Sequence, residues 1–121
     1  MSAPATTAYP ECVPATWLGE RMALEPLRIE AMRRAGELIA VWDAGSNQWL
    51  YPAWQFERWA PRQGIKRVVT AAREARIPDD RLYDLLTAPL GLTRTRGGRR
   101  LADVLVEGRV DDVVAAIRSE A

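Results

Sequence analysis

Histidine is absent from this 121-residue sequence, and Cys12 is its single cysteine. Without histidine the chain cannot form a histidine general base, a catalytic triad or a histidine zinc cluster. One cysteine excludes a disulfide within the chain and a metal site made of several thiolates. No glycine-rich phosphate loop follows a predicted strand, and no nucleophile stands beside a visible base. The sequence therefore predicts a protein that is not an enzyme and has no metal or cofactor.

The sequence also lacks a long apolar run and a recognisable export signal. No apolar stretch approaches the roughly 18 residues that a membrane-spanning helix needs. Residues 1–13 contain Pro4 and Pro10 among alanines and threonines, without the basic start and apolar centre of a signal peptide. We expect these residues to form a flexible arm on a cytoplasmic protein that does not contact membranes.

Aromatic side chains are scarce in the second half of the chain. Five Trp, three Tyr and one Phe are present, and only Tyr83 lies after residue 60. Charge is uneven as well, with a balance of −2 over residues 1–59 and +3 over residues 60–121, within a total of +1. This contrast predicts two parts after the arm, over residues 14–59 and 60–121.

The first part has the pattern of two helices followed by a β-hairpin. A first helix is predicted from Pro14 to about Ala23, and a second over residues 26–35, with Gly36 as its C-terminal cap. Residues 38–42 and 49–51 are rich in β-favouring side chains. The residues between them, Asp43-Ala44-Gly45-Ser46-Asn47, are typical of a turn.

The second part, residues 60–121, has apolar residues at helical spacing in four segments. Two acidic pairs, Asp79-Asp80 and Asp111-Asp112, precede predicted helices. Carboxylates stabilise the positive N-terminal end of a helix, so we interpret both pairs as helix starts rather than as catalytic groups.

Residues 15–56, with Arg-x-Gly-Glu-Leu between the second helix and the hairpin, resemble the small winged helices of excisionases and MerR-type regulators. The fold class expected is mainly α with one β-hairpin, a winged helix-turn-helix followed by a small helical bundle. The resemblance implies that the helix over residues 26–35 enters the major groove of DNA, while the hairpin contacts the backbone or the minor groove. It implies these DNA-binding residues: Arg28, Arg33, Arg34, Asn47 and Gln48.

The charges of the first part leave an alternative open. Glu25 and Glu30 occupy positions that would face the groove, where carboxylates repel phosphates. Nonspecific DNA affinity comes mainly from Lys and Arg, and this part carries few of them. The alternative is a stand-alone interaction module whose winged helix does not bind DNA.

The segment Tyr51-Pro52-Ala53-Trp54-Gln55-Phe56 resembles one that recurs in a bacterial antitoxin family whose C-terminal module is the Xre/MbcA/ParS toxin-binding domain. That family's further motifs match residues 82–90 and 97–109, and residues 110–118 supply its closing helix. On their own, Trp54 and Phe56 are also expected as core aromatics. The resemblance implies an antitoxin of a type II toxin-antitoxin system. Such a protein forms a homodimer, neutralises a cognate toxin, commonly of RES type, and represses its own operon by binding operator DNA.

Arginines are the candidate partner-binding residues of the second part. Four of them lie within residues 94–100, where guanidinium groups could pair bidentately with carboxylates or phosphates. The residues assigned to the toxin or another partner are Arg94, Arg96, Arg99, Arg100, Arg109 and Arg118. The alternative for the loop is a solvated segment that favours solubility. A second basic group on one predicted helix is interpreted as a solvated face: Lys66, Arg67, Arg73 and Arg76.

Overall fold

The computed structural model describes residues 9–90 and 99–120. The first part contains, in order, β1 (Cys12–Pro14), α1 (Ala15–Met22), α2 (Pro26–Arg34), β2 (Val41–Asp43) and β3 (Gln48–Pro52). A 3₁₀ turn (Ala53–Gln55) and a small hairpin of β4 (Phe56–Glu57) and β5 (Ala60–Pro61) follow. The second part contains α3 (Ile65–Glu74), α4 (Asp79–Thr87), α5 (Leu101–Val106) and α6 (Val110–Ser119). The predicted mainly α fold, a winged helix followed by a helical bundle, is confirmed.

The predicted hairpin is part of a three-stranded antiparallel sheet. Strand β3 lies in its centre, between β1 and β2. In the hairpin Val41 lies opposite Leu50, and across the other pair Val13 lies opposite Tyr51. All four of these side chains are buried, so the central strand is packed over its second half, from Leu50 onwards.

Strand β1 corrects one prediction. The arm expected over residues 1–13 is wrong at its C-terminal end, because Cys12 and Val13 are buried strand residues. Their partners on β3 lie about 40 positions away in the sequence, and β1 covers the edge of β3 that the hairpin leaves unpaired. Residues 1–8 lie outside the described residues.

Gln55 explains why the first wing strand begins later than predicted. Its side chain is fully buried and accepts a hydrogen bond from the Ile39 N–H at 2.7 Å. Its amide nitrogen donates to the Ile39 carbonyl at 2.7 Å and to the Pro52 carbonyl at 3.1 Å. The backbone at Ile39 is thus paired with a side chain, and strand β2 starts only at Val41.

Each part has its own apolar cluster. The winged helix is built on Val13, Leu18, Ile29, Met32, Leu38, Ala40, Tyr51 and Phe56. The larger cluster of the helical part centres on α3 and α6 and includes Ile65, Val68, Val69, Leu86, Leu105, Val113, Val114 and Ile117. Trp54 is only partly buried, against the helical cluster, whereas Phe56 is buried in the winged helix as expected.

A third cluster joins the two parts. Tyr83, the aromatic residue of α4, packs with Cys12, Val41 and Leu50 of the sheet. Burial raises the pKa of Tyr83, whose ring also meets Tyr9 edge to face at 5.2 Å between centroids. The sheet therefore contacts both parts of the chain. Val13 and Tyr51 pack in the winged-helix cluster, and the other strand residues, Cys12, Val41 and Leu50, pack against Tyr83 of α4.

Within the described residues, every helix is too short or too polar to cross a membrane.

Candidate nucleic-acid interface

Helix α2 has one buried face and one exposed face. Ile29 and Met32 are buried in the winged-helix cluster, three residues apart, and hold the helix against the sheet. The opposite face exposes Leu27, Ala31 and Arg34, spaced by four and three residues. This outer face is solvent-exposed along the length of the helix.

The turn between α1 and α2 requires a glycine. Gly19 lies in α1, and a Cβ there would lie 2.6 Å from the Leu24 carbonyl oxygen, which is too close for a carbon atom. The Leu24 N–H donates to the Gly19 carbonyl at 3.0 Å and closes the turn. The short turn thereby fixes the angle at which α2 leaves α1.

The C-terminal end of α2 is held by a residue of the helical part. Arg73 on α3 donates to the Arg33 carbonyl at 3.1 Å and to the Arg34 carbonyl at 3.3 Å. The Arg33 carbonyl also accepts a hydrogen bond from the Gly36 N–H at 3.0 Å, and a cation at a helix C-terminus is favoured by the helix dipole. Gly36 follows with φ of +79°, and a Cβ there would lie 2.8 Å from the Arg73 guanidinium. The predicted glycine cap is present, and the position needs a glycine partly because the Arg73 guanidinium leaves no room for a Cβ.

The wing is a compact hairpin turn organised by Asp43. Its buried carboxylate accepts hydrogen bonds from the Gly45 N–H at 3.2 Å and from the Ser46 hydroxyl. Asn47 adopts a left-handed φ of +55°, which asparagine tolerates better than most residues, and its side chain is exposed. The turn therefore presents Asn47 and Gln48 at the tip of the wing.

A groove of about 410 Å³ separates α2 from the wing. Four of the five predicted DNA-binding residues line it: Arg33, Arg34, Asn47 and Gln48. The fifth, Arg28, is exposed on α2. The structure thus brings four of the five predicted residues to one groove of the winged helix.

Arg33 is held over the wing by an aromatic ring. Its guanidinium carbon lies 4.1 Å from the centroid of Trp49, a cation–π distance. Trp49 in turn meets Trp42 edge to face, with centroids 5.6 Å apart. Among the described residues the buried Nε of Arg33 has no hydrogen-bond partner. An oriented cation in the lining of an open groove is suited to bind an anion.

Two other groups shape the electrostatics of this groove. Tyr51 lies at its base, where burial raises the pKa of the phenol and the neighbouring Arg33 opposes that rise. Glu30 also lines the groove, so one carboxylate faces the same space as Arg33 and Arg34. The positive potential is therefore concentrated on the C-terminal half of α2 rather than spread along the helix.

Most of the predicted partner-binding arginines in the described residues have acidic neighbours. Arg99 pairs with Glu107, and Arg109 lies 2.7 Å from Asp112. Arg118 is exposed on α6. Arg94 and Arg96 lie outside the described residues.

Arg100 has a structural role at the start of α5. It forms a capping box with Asp103 and an ion pair with Glu11, next to β1. The hydrogen bond from Arg100 holds the pKa of Asp103 below its usual range. This pair ties the helical part to the strand β1 and leaves less of the Arg100 guanidinium for a partner.

The second basic group is divided among several contacts. Arg67 pairs with Asp111 at 2.6 Å across the starts of α3 and α6, and Arg73 binds α2 as described. Lys66 and Arg76 are exposed. The predicted solvated face therefore includes one residue, Arg73, whose contact with α2 the sequence pattern did not indicate.

No group of residues suited to hold a metal occurs among those that the structure describes. Cys12 is buried, and burial raises the pKa of its thiol to about 12. At neutral pH the thiol stays protonated, which makes it a poor nucleophile.

No protein-family model matches the chain, and no curated protein matches it. The fold does have a counterpart among solved structures. The NMR structure of Rv2175c matches with a TM-score of 0.77 and 20% sequence identity, over 100% of this chain and 90% of that chain. At that identity the likeness concerns the fold alone: the winged helix and the helical bundle occur together in both proteins.

Proposed function

We propose that this protein binds double-stranded DNA through α2 and the β2–β3 wing and acts as a transcription regulator. The observation that carries the proposal is the groove between α2 and the wing, where Arg33, Arg34, Asn47 and Gln48 converge. In helix-turn-helix proteins such a second helix contacts base edges while flanking cations contact phosphates.

The position of Arg33 supports phosphate binding. Its stacking on Trp49 fixes the guanidinium before DNA arrives, so less side-chain entropy is lost on binding. Arg33 lines the groove and is partly exposed, so a backbone phosphate in the groove would pair with its guanidinium.

The small number of cations favours a dimer on DNA. Arg28, Arg33 and Arg34 can neutralise only a few phosphates per chain, and Glu30 offsets part of that gain. Two linked copies on two half-sites would raise the effective affinity without further contacts. We therefore propose a homodimer as the DNA-binding form, in the cytoplasm.

The test is a salt titration of binding to a fluorescent 30-base-pair duplex of random sequence. We expect log K to fall linearly with log salt, because counterions are released as arginines neutralise phosphates. The double variant Arg28→Ala, Arg34→Ala should bind roughly 10- to 50-fold more weakly at low salt, with a salt slope lower by about 1, the contribution of one phosphate contact.

Arg118→Ala is the matched control, because Arg118 is equally exposed but lies on α6. It should leave both affinity and slope unchanged. A flat salt dependence of the native protein, or equal losses for Arg118→Ala and the double variant, would contradict the proposal.

A second proposed function is neutralisation of a cognate toxin, of RES type, by the helical part. It is supported by an apolar groove of about 220 Å³ between α4, α5 and α6. The groove is lined by Leu85, Pro89, Leu90, Leu101 and Ala116. Such a groove can accept an apolar segment of a partner.

We expect the product of a neighbouring toxin-like gene to co-purify with this protein, and Arg109→Glu with Arg118→Glu to weaken the complex. Both side chains are exposed, so the variant should still fold. Removing α6 would be a poor test, since Val113, Val114 and Ile117 are core residues. Failure of the two proteins to co-purify would exclude this function and leave DNA binding untouched.

A further inference from the structure

The outer face of α2 carries an apolar ridge formed by Leu27 and Ala31. Leu27 is 75% exposed, which is the highest value among the large apolar side chains that the structure describes as exposed. Ala31 lies one helical turn further and is exposed as well, and Arg34 continues the same line. The ridge lies opposite the buried Ile29 and Met32.

A single exposed leucine needs no explanation by itself, because most of a protein surface is apolar. The position of Leu27 is what gives it meaning. It lies in the first turn of α2, next to the exposed Arg28, and the N-terminal residues of a recognition helix are those that contact base edges. Arg28 and Arg34 lie on the two sides of the ridge and Glu30 lies beside it. The border therefore holds two cations and one carboxylate, a balance that suits a polyanion better than an apolar protein surface.

Thymine is the base that offers an apolar group in the major groove. Its C5-methyl lies at the groove edge, and apolar side chains distinguish it from cytosine and from uracil by contact. Arg34 can donate two hydrogen bonds to guanine O6 and N7. Leu27 and Arg34 are seven residues apart, about 10 Å along the helix, which corresponds to about three base-pair steps.

We infer that Leu27 and Ala31 contact thymine methyl groups, so that the preferred DNA carries thymines about three base pairs from a guanine read by Arg34. The inference rests on the proposed function and gives its sequence preference. It makes Leu27 a specificity-determining residue, while Arg28 and Arg33 supply affinity without sequence information.

The experiment starts from duplexes enriched by the native protein from a randomised library. In the best duplex each thymine is replaced in turn by deoxyuridine, which removes the methyl group and keeps the base pairing. We expect one or two positions at which the dissociation constant rises about three- to fivefold, the effect of one buried methyl group. At one of these positions Leu27→Ala should show no further loss.

Val106→Ala is the control, because Val106 is also an exposed apolar side chain, 39% exposed, but lies on α5. It should respond to deoxyuridine as the native protein does. Enrichment of a duplex whose thymines all tolerate deoxyuridine would overturn this inference and leave DNA binding intact. Equal responses of Leu27→Ala and the native protein would do the same. Absence of any enrichment, with salt-dependent binding to the random duplex retained, would overturn the inference alone, whereas loss of both would overturn the proposed function as well.

Discussion

Replacing Gln55 by leucine is expected to lower the free energy of unfolding by about 3–5 kcal/mol, because three buried hydrogen bonds are lost together. Leucine has nearly the same volume, so the loss is one of pairing rather than of packing. The N–H and carbonyl of Ile39, which is 1% exposed, would be left without their partners in the protein interior. Urea unfolding followed by circular dichroism measures the change.

Gln63→Leu provides the matched control, since Gln63 is exposed in the turn before α3. It should change the stability by less than about 0.5 kcal/mol, as expected of an ordinary surface substitution. If the two leucine variants were equally stable, the pairing of Gln55 with Ile39 would not contribute to the fold.

Gln55→Glu adds a dependence on pH. A carboxyl group at this buried site, facing the Ile39 and Pro52 carbonyls, would have its pKa raised in the folded protein. Its destabilising effect is therefore smallest below the unfolded-state pKa of about 4.3 and grows as the pH rises towards the folded-state pKa. The gap in stability between Gln55→Glu and the native protein should narrow on acidification.

The second large effect is expected for Gly64→Ala, at the start of α3. The added Cβ would lie 2.4 Å and 2.7 Å from the two γ-carbons of Val110, the first residue of α6. Gly64 also has a φ of +94°, which strains any residue with a Cβ. Overpacking and backbone strain together predict a loss of about 3–4 kcal/mol.

Gly108→Ala separates the two causes. Gly108 has a similar φ of +88°, but a Cβ there would meet no atom within 4 Å. This variant should lose only about 1 kcal/mol, the cost of backbone strain alone. Adding Val110→Ala to Gly64→Ala should recover part of the loss, measured as a coupling in a double-variant cycle. Equal losses at Gly64 and Gly108 would show that the contact with Val110 is relieved without cost.

The sequence was informative where local patterns determine the structure. Pro26 at the start of α2, the positive φ of Gly36 and the β-favouring runs around the 43–47 turn predict the winged helix from short-range chemistry. The same holds for the four helices of the second part, whose buried positions follow helical spacing.

Long-range contacts were the part that the sequence did not predict. Strand β1 is three residues long and ends in Pro14, and its partner β3 is far away in the chain. In the sequence, Gln55 is one more residue of the aromatic segment over residues 51–56. Its role as hydrogen-bond partner of the Ile39 backbone arises only because the fold brings the two residues together. The stacking of Arg33 on Trp49 likewise depends on how the wing returns towards α2, which no spacing encodes.

The contact of Arg73 would link the proposed binding of DNA thermodynamically to the state of the helical bundle. Its guanidinium belongs to α3 but holds the last carbonyls of α2, so the orientation of α2 is set partly from outside the winged helix. Linkage is reciprocal: if a molecule bound near α3 changes the affinity for DNA by some factor, DNA changes the affinity for that molecule by the same factor. One arginine thus provides a route for communication between the proposed DNA-binding surface and the surface of α3.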